Sequence, residues 1–409
     1  MNKTLIKLAI GLYLLCLLVI SSCEEAAIPI EQDNTPVIVD TVSFPVIKTT
    51  SYQIPPVLGN AEDLYFGEKD GFKYLYNLIR FDSTDISNIY SFDHYNDSLI
   101  VADSLKLSMR FAVDTLDQNA EFQLRYFPNG GDSVFNETST NYLNFDRNTA
   151  SSVISTAVMM VDSIDTVNTK VTLNFMMDTS IINVIKDTSI INFNQSFLVE
   201  LKTGGSSEFK FHSSEKVTGD PPELIAYFRQ FLSDSVVQDT SYHIYSSIQD
   251  VSVIEPPVIT SLDSSSLAIS LAKGLRSLIM VDMEGWELPQ KGIISSAELV
   301  YISSDSDTLT GYSVASYPLK IEGDYSRFNS FETDPYMVDV NFNSSSSVIE
   351  NILKINYRKI STEFGRGKMT NYGFKIQPSN NNDPFKTVLF HDLSSSDSYP
   401  VMRVIYVHP

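Results

Sequence analysis

Ser104-Leu105-Lys106-Leu107-Ser108-Met109-Arg110-Phe111 alternates polar and apolar side chains for eight residues. That period of two belongs to a strand with one buried face and is incompatible with a helix, whose apolar positions recur every three to four residues. The same alternation returns at Glu121 to Tyr126 and at Phe374 to Ile376, and Phe197 to Leu201 is more continuously apolar. Many short runs of this kind, separated by clusters of Asn, Asp, Gly and Ser, predict an all-β chain of antiparallel sheets. Two segments compete for helix. Ser345 to Tyr357 places Val348-Ile349 and Ile352-Leu353 behind a capping serine, Ser346 or Ser347. Leu224 to Leu232 is the other, and it yields to a strand reading once the repeat described below is recognised.

The chain has 409 residues, 43% of them hydrophobic and 19% charged, so a packed core is expected rather than disorder. Its only cysteines are Cys16 and Cys23. Loss of a leader containing Cys16 leaves no disulfide and no cysteine metal site, and an unstapled exported chain must depend on large apolar cores. The formal net charge of −21 becomes −23 once Lys3 and Lys7 leave with the leader. Such a surface repels nucleic acid and anionic head groups, and no nucleic-acid partner is expected.

The leader is read from Lys3 and Lys7, the uncharged run Leu8 to Ile20, and Ile20-Ser21-Ser22-Cys23. Thirteen uncharged residues fall short of the roughly 20 needed to span a bilayer, so this is an export segment rather than a membrane span. Its last four residues resemble the lipobox of bacterial lipoproteins. The resemblance implies cleavage after Ser22, diacylglycerol on Cys23, and anchoring of the chain to a membrane through that lipid. Glu24 and Glu25 resemble the signals that carry lipoproteins of Bacteroidetes-type bacteria to the outer face of the outer membrane. From Ala26 to about Thr49, with Pro29, Pro36 and Pro45, the chain reads as a polar spacer.

Beyond the spacer the sequence repeats. Leu78-Ile79-Arg80-Phe81-Asp82 returns as Leu278-Ile279-Met280-Val281-Asp282, and Phe211-His212 as Phe390-His391. Ile100 to Leu107 pairs loosely with Ile294 to Tyr301, and Pro221 to Tyr227 with Pro400 to Tyr406. Four blocks in one order indicate a duplicated unit. The expected organisation is a signal peptide over 1–22, a spacer over 23–45, and two tandem antiparallel β-sandwich, jelly-roll-like domains over 46–228 and 229–409. Glu255-Pro256-Pro257 marks a rigid turn beside an early strand of the second domain. Leu78 and Ile79 point to opposite faces, so this strand is expected to be buried on both sides.

The strand ending Arg80-Phe81-Asp82, then Ile294, Ala297 and Leu299, then Asn371 to Phe374, then Pro222, Leu224 and Tyr227 resemble the DNRLRE-type β-sandwich domain, which is similar to a carbohydrate-binding module found beside alginate-active enzymes. In the second copy Met280-Val281 replaces Arg80-Phe81, and Met402 stands where Leu224 does.

No catalytic signature is present. His94, His212, His243, His391 and His408 never fall three to five residues apart, so no local zinc pair exists. No Gly-x-Ser-x-Gly elbow or phosphate loop occurs, and Asn129-Gly130-Gly131 and Gly204-Gly205 read as hairpin turns. Asp82 and Asp282 are expected to cap turns, and His212 and His391 to point outwards while Phe211 and Phe390 point in. The acidic clusters Glu62-Asp63, Asp305 with Asp307, and Asn381 to Asp383 lack the spacing of a calcium loop and read as solvated loops. No metal or cofactor is expected.

Trp286, the sole tryptophan, can stack on a sugar ring or cover a sandwich end beside Pro289; aromatic residues mostly bury area, which favours covering. Tyr65 and Tyr74 are further candidates for stacking on a ligand. Together these features predict a non-enzymatic outer-membrane lipoprotein that binds a polysaccharide or another surface protein, with a structural spacer or complex subunit as the alternative.

Overall fold

The computed structural model describes residues 37–409 apart from 82–99, 112–118, 128–133, 166–167, 179–180, 182–195, 204–207, 234–235, 260–261, 263–266, 305–306, 392 and 394–399. The leader, Cys23, Asp82, Asp305 and both Gly-Gly turns lie outside the described residues.

The chain is all-β, with antiparallel sheets. In chain order the strands begin with β1 (Ile38–Gln53), β2 (Asp63–Lys69), β3 (Phe72–Phe81), β4 (Ile100–Arg110), β5 (Glu121–Tyr126), β6 (Ser155–Asp165) and β7 (Asn168–Met177). Next come β8 (Ser196–Thr203), β9 (Phe209–His212), β10 (Glu223–Ser233), β11 (Val236–Glu255), β12 (Leu267–Ile269), β13 (Leu275–Val281) and β14 (Ile293–Ile302). The last are β15 (Ser313–Pro318), β16 (Asn329–Ser330), β17 (Ser344–Ser347), β18 (Ile352–Asn356), β19 (Phe374–Pro378), β20 (Val388–Phe390) and β21 (Val401–His408), with a helix α1 (Arg358–Gly365) before β19. A two-residue parallel pairing of β1 with β16 departs from the antiparallel rule.

Pairing in the first set runs β11-β10-β4-β7-β6-β5-β8-β3 and returns to β11, a closed circuit of eight strands. The strand β11 serves both sides of it, pairing with β10 up to Ser246 and with β3 from Ser247 on. A second set follows the same plan. There β1 pairs with β21 through Pro45 and with β13 from Val46, where a register shift marks the crossing. From β1 the order runs to β21, β14 and β18 on one side and to β13, β19, β15 and β17 on the other. Thus β13 takes the place of β3, β14 of β4, β21 of β10, and β1 of β11.

The duplication extends to buried hydrogen bonds. Ser252 on β11 donates to Asn77 Oδ1 at 2.5 Å, Asn77 Nδ2 donates to the Tyr65 carbonyl at 2.8 Å, and the Tyr65 N–H donates to Ser252 Oγ at 3.0 Å. In the second set Ser51 and Ser277 hydroxyls lie 2.8 Å apart, Ser277 donates to the Ala268 carbonyl at 2.8 Å, and the Ala268 N–H donates to Ser51 at 2.9 Å. Different residues close the same three-sided clasp, which fixes β2 and β12 to their sets by satisfying backbone groups that burial would otherwise leave unpaired.

Leu105, Leu107 and Met109 are fully buried, as the alternation requires. Both residues of each central pair are buried too. Ile79 joins the inner core of the first set, whereas Leu78 packs with Tyr76, Phe127 and Phe135 on the other face of the sheet. Ile279 and Leu278 divide in the same way in the second set.

Sheet membership departs from the expected ranges in two places. Residues from Ile38 on, assigned to a spacer ending at 45, form a strand inside the second set, because the β-branched Ile38 and Val39 and the alternate Val42 and Phe44 find partners on β21. Residues 236–255, assigned to the second domain, complete the first set instead. Only residues 234–235 separate β11 from β10, and so short a connection makes them an antiparallel hairpin. The strand that leads each repeat in sequence therefore sits in the other repeat's sheets.

The expected helix over Ser345 to Tyr357 is instead two strands, β17 paired with β15 and β18 paired with β14, joined by a tight turn through Glu350 and Asn351 at φ 49° and 68° that the Ile349–Ile352 bridge closes. Leu353, Ile355 and Tyr357 are all buried, a period of two that outweighs the helical spacing of Val348 and Ile352. The helix begins at Arg358, whose N–H is accepted by Asn356 Oδ1 at 2.9 Å. The expectation for Leu224 to Phe228 holds, within β10.

Where the two sets meet, Phe385 enters a ring cage of Tyr65, Phe72 and Tyr74 at centroid distances of 4.8, 5.1 and 5.2 Å. Gly274 also lies at this junction with φ +65°, and a Cβ there would meet the Ile54 carbonyl oxygen at 1.7 Å. Only glycine fits so close an approach.

Candidate ligand-binding surfaces

Of the three stacking candidates, Tyr65 and Tyr74 are enclosed. Tyr65 is 4% exposed, with Phe385 edge-on to its ring and Lys210 Nζ 5.6 Å from the centroid. Tyr74 is 5% exposed and donates its hydroxyl to Glu208 at 3.2 Å. Burial, reinforced by nearby carboxylates, holds both phenols well above their ordinary range. These rings clamp Phe385 and leave no face for a ligand.

Trp286 is half-buried and serves partly as a cover. Its ring meets Phe44 at 5.3 Å and Tyr406 at 6.1 Å and packs on the second core. Gly365, at the end of α1, makes the fit possible, since a Cβ there would come within 2.6 Å of Trp286 Cζ3. One side of the indole still faces a groove of about 410 Å³ between the 280–286 turn and the 364–371 segment, lined by Met280, Met283, Phe364, Met369 and Asn371. Asn371 is already spent on the backbone, donating to Val281 at 2.8 Å and accepting from the Gly373 N–H at 3.0 Å. Asp282 caps its turn as expected, accepting from the Glu284 N–H at 3.2 Å.

A third surface was not singled out by sequence. Tyr227 and Tyr242 are directly paired across β10 and β11, with centroids 6.0 Å apart, and Tyr242 is 61% exposed. Lys106 on β4 lies 5.9 Å over the Tyr227 ring, a cation–π arrangement. The next cross-strand row reads Ile244, Ile225, Lys106 and Met176. In the second set the equivalent row is Ser43, Arg403, Glu298 and Asn356. This row is thus largely apolar in the first copy and polar throughout in the second. The sequence signal was available: counting outwards from Asp234-Ser235 brings Tyr227 opposite Tyr242.

Several charged groups elsewhere among the described residues are engaged in structure. Asp334 ties Arg276 to Lys375 and accepts from the Tyr52 hydroxyl. Burial would raise the Asp334 carboxyl, but the two cations hold it below its ordinary range. Burial, aided by Arg276, also lowers the Lys375 ammonium. Asp250 is 1% exposed; its Oδ2 accepts from the Ser214 N–H at 2.6 Å, and its Oδ1 is buried without a hydrogen-bond partner among the described residues. Desolvation pushes this carboxyl up to about 7.

Phe211 is fully buried while His212 turns outwards and accepts from the Asp220 N–H at 3.1 Å, the geometry expected of that pair. Burial and Lys216 lower the His212 imidazole. Asn382 holds both the N–H and the carbonyl of Ser313, so its acidic loop is a structural brace. Among the described residues no three His, Cys, Asp or Glu side chains are grouped to hold a metal ion, and no helix is long and apolar enough to cross a membrane. No family model matches the chain, and no curated protein is significantly similar to it.

Proposed function

We propose that this chain is a lipid-anchored protein of a bacterial outer membrane, held by Cys23 and exposed at the cell surface, whose two β-sandwich, jelly-roll-like units act as a non-enzymatic polysaccharide-binding module. The observation that carries the reading is the Tyr227-Tyr242 pair beside Lys106, with Tyr242 61% exposed. Two neighbouring rings with polar tips offer apolar area to sugar C–H faces and hydroxyls to sugar oxygens, a combination suited to a half-wet interface. Ser104, directly opposite Tyr227 on β4, supplies a further hydrogen-bonding group.

A protein partner is the second reading, favoured by the exposed Val158, Met160, Met176 and Ile244 on the same circuit. A panel of surface and matrix polysaccharides tested against the chain without its leader separates the two. Binding should occur, and Tyr242→Ala should weaken it by about 1–2 kcal/mol, roughly tenfold, without changing the melting temperature. No binding to any polysaccharide, together with capture of a surface protein that Tyr242→Ala releases, refutes the glycan reading.

A further inference from the structure

The Trp286 groove has a chemistry that sugar binding does not use. Its lining brings together Met280 from the end of β13, Met283 from the following turn and Met369 from beyond α1. Three of the chain's 11 methionines therefore converge on one groove from separate segments, with the only indole of the protein beside them. Met283 is 8% exposed, while Met280 and Met369 are half-buried at the wall. Met280 stands where the first copy has Arg80, so this thioether is specific to the second copy.

Thioethers are neutral at every pH and make weak hydrogen-bond acceptors, so they serve a hydroxylated ligand poorly. They are soft donors that select Cu(I)-like ions over zinc, calcium or magnesium. An indole face attracts a cation through its quadrupole. Asn371 in the wall has its Nδ2 and its Oδ1 each bound to backbone. Asp282 and Glu284 also border the groove and, with a chain charge of −21, favour entry of a cation over an anion; Lys48 opposes them at the rim. No cysteine remains after Cys23, so no thiol elsewhere in the described chain outcompetes the thioethers.

We propose that the Met280, Met283 and Met369 groove binds a soft monovalent cation, Cu(I) or its surrogate Ag(I), through thioether sulfurs beneath the Trp286 indole. Trp286 is also the reporter. Titration of the chain carrying Cys16→Ser and Cys23→Ser, so that thioethers are its only sulfur ligands, with silver nitrate in chloride-free buffer, read by tryptophan fluorescence, should give saturable quenching at one ion per chain. Cu(I), held by a competing chromophoric chelator under anaerobic conditions, should be withdrawn by the protein at the same stoichiometry.

Met369→Leu is close to volume-conserving and sits at the wall, so folding is retained. It should weaken Ag(I) by more than the roughly tenfold that loss of even an outer partner costs a metal site. Met159→Leu, in the first core, is the control and should leave the titration unchanged. Unchanged fluorescence on adding Ag(I), or quenching that persists unaltered in Met369→Leu and Met280→Leu, overturns the proposal. The groove belongs to the second set and the tyrosine pair to the first, so either reading can fail without the other.

Discussion

Asp250→Asn tests how much stability a carboxylate inside the first set withholds at neutral pH. The side chain is buried at the point where β11 passes from β10 to β3, and Glu137 accepts from the Asp250 N–H at 3.2 Å. Charging it there leaves Oδ1 without a partner and away from water. The folded-state value of about 7 lies well above the unfolded carboxyl at about 3.9. Between those limits the folded state binds the extra proton, so stability is full at the acid end and falls as pH rises through the folded value. Three units at about 1.36 kcal/mol each set a ceiling of about 4 kcal/mol on the loss. Glu137, raised chiefly by burial, pulls in the same direction, so the wild-type slope alone does not isolate Asp250.

The difference between the two proteins does isolate it. Asparagine keeps an acceptor for the Ser214 N–H and carries no charge. Urea unfolding at pH about 3.5, about 6 and about 8, spanning the two carboxyl values, should show wild type losing stability more steeply than Asp250→Asn, with the variant gaining relative to wild type at the alkaline end. Parallel pH profiles for the two proteins refute the reasoning.

Ser51→Ala removes one side of the second clasp and strands the Ala268 N–H in the interior; a loss of about 1–3 kcal/mol is expected in urea unfolding, and a cost below a few tenths would show that the clasp is ornamental. Removal of residues 37–53 takes β1 from between β21 and β13 and should leave the second core open while the first persists. Hydrogen exchange would then show protection lost across 275–302 and 401–408 but retained across 72–81 and 223–255; equal protection of both sets would contradict the seating of β1.

Local pattern carried the strands. The alternation from Ser104 to Phe111 was decisive because one slip of register would expose every buried residue in it. The repeat was legible where duplicated positions kept apolar side chains, as at Leu78 and Leu278 or Phe211 and Phe390. The clasp was not legible, because Asn77 and Ser252 on one side and Ser277 and Ser51 on the other do the same work with different atoms. In the last block Leu224 and Met402 are the inward pair, as expected, and that register places Tyr227 opposite Ile405 rather than Tyr406. The expected boundary between 228 and 229 puts Tyr227 and Tyr242 in different domains, which conceals the pair. Exchange of the leading strands was beyond reach for a different reason: two equivalent seats accept either strand by local pattern, and connectivity alone does not say which is filled.

For a chain made from its N-terminus, the exchange sets an awkward schedule. β1 leaves the ribosome first, yet its neighbour β21 is the last strand to emerge, and closing so long a loop is slow. In the meantime the β11 seat stands vacant beside β10 and β3, offering Phe44 the place of Tyr245 and Ser51 the place of Ser252. β11, tethered to β10 by two residues, reaches that seat by closing a far shorter loop than β1 needs, which favours it there and leaves β1 for the second set.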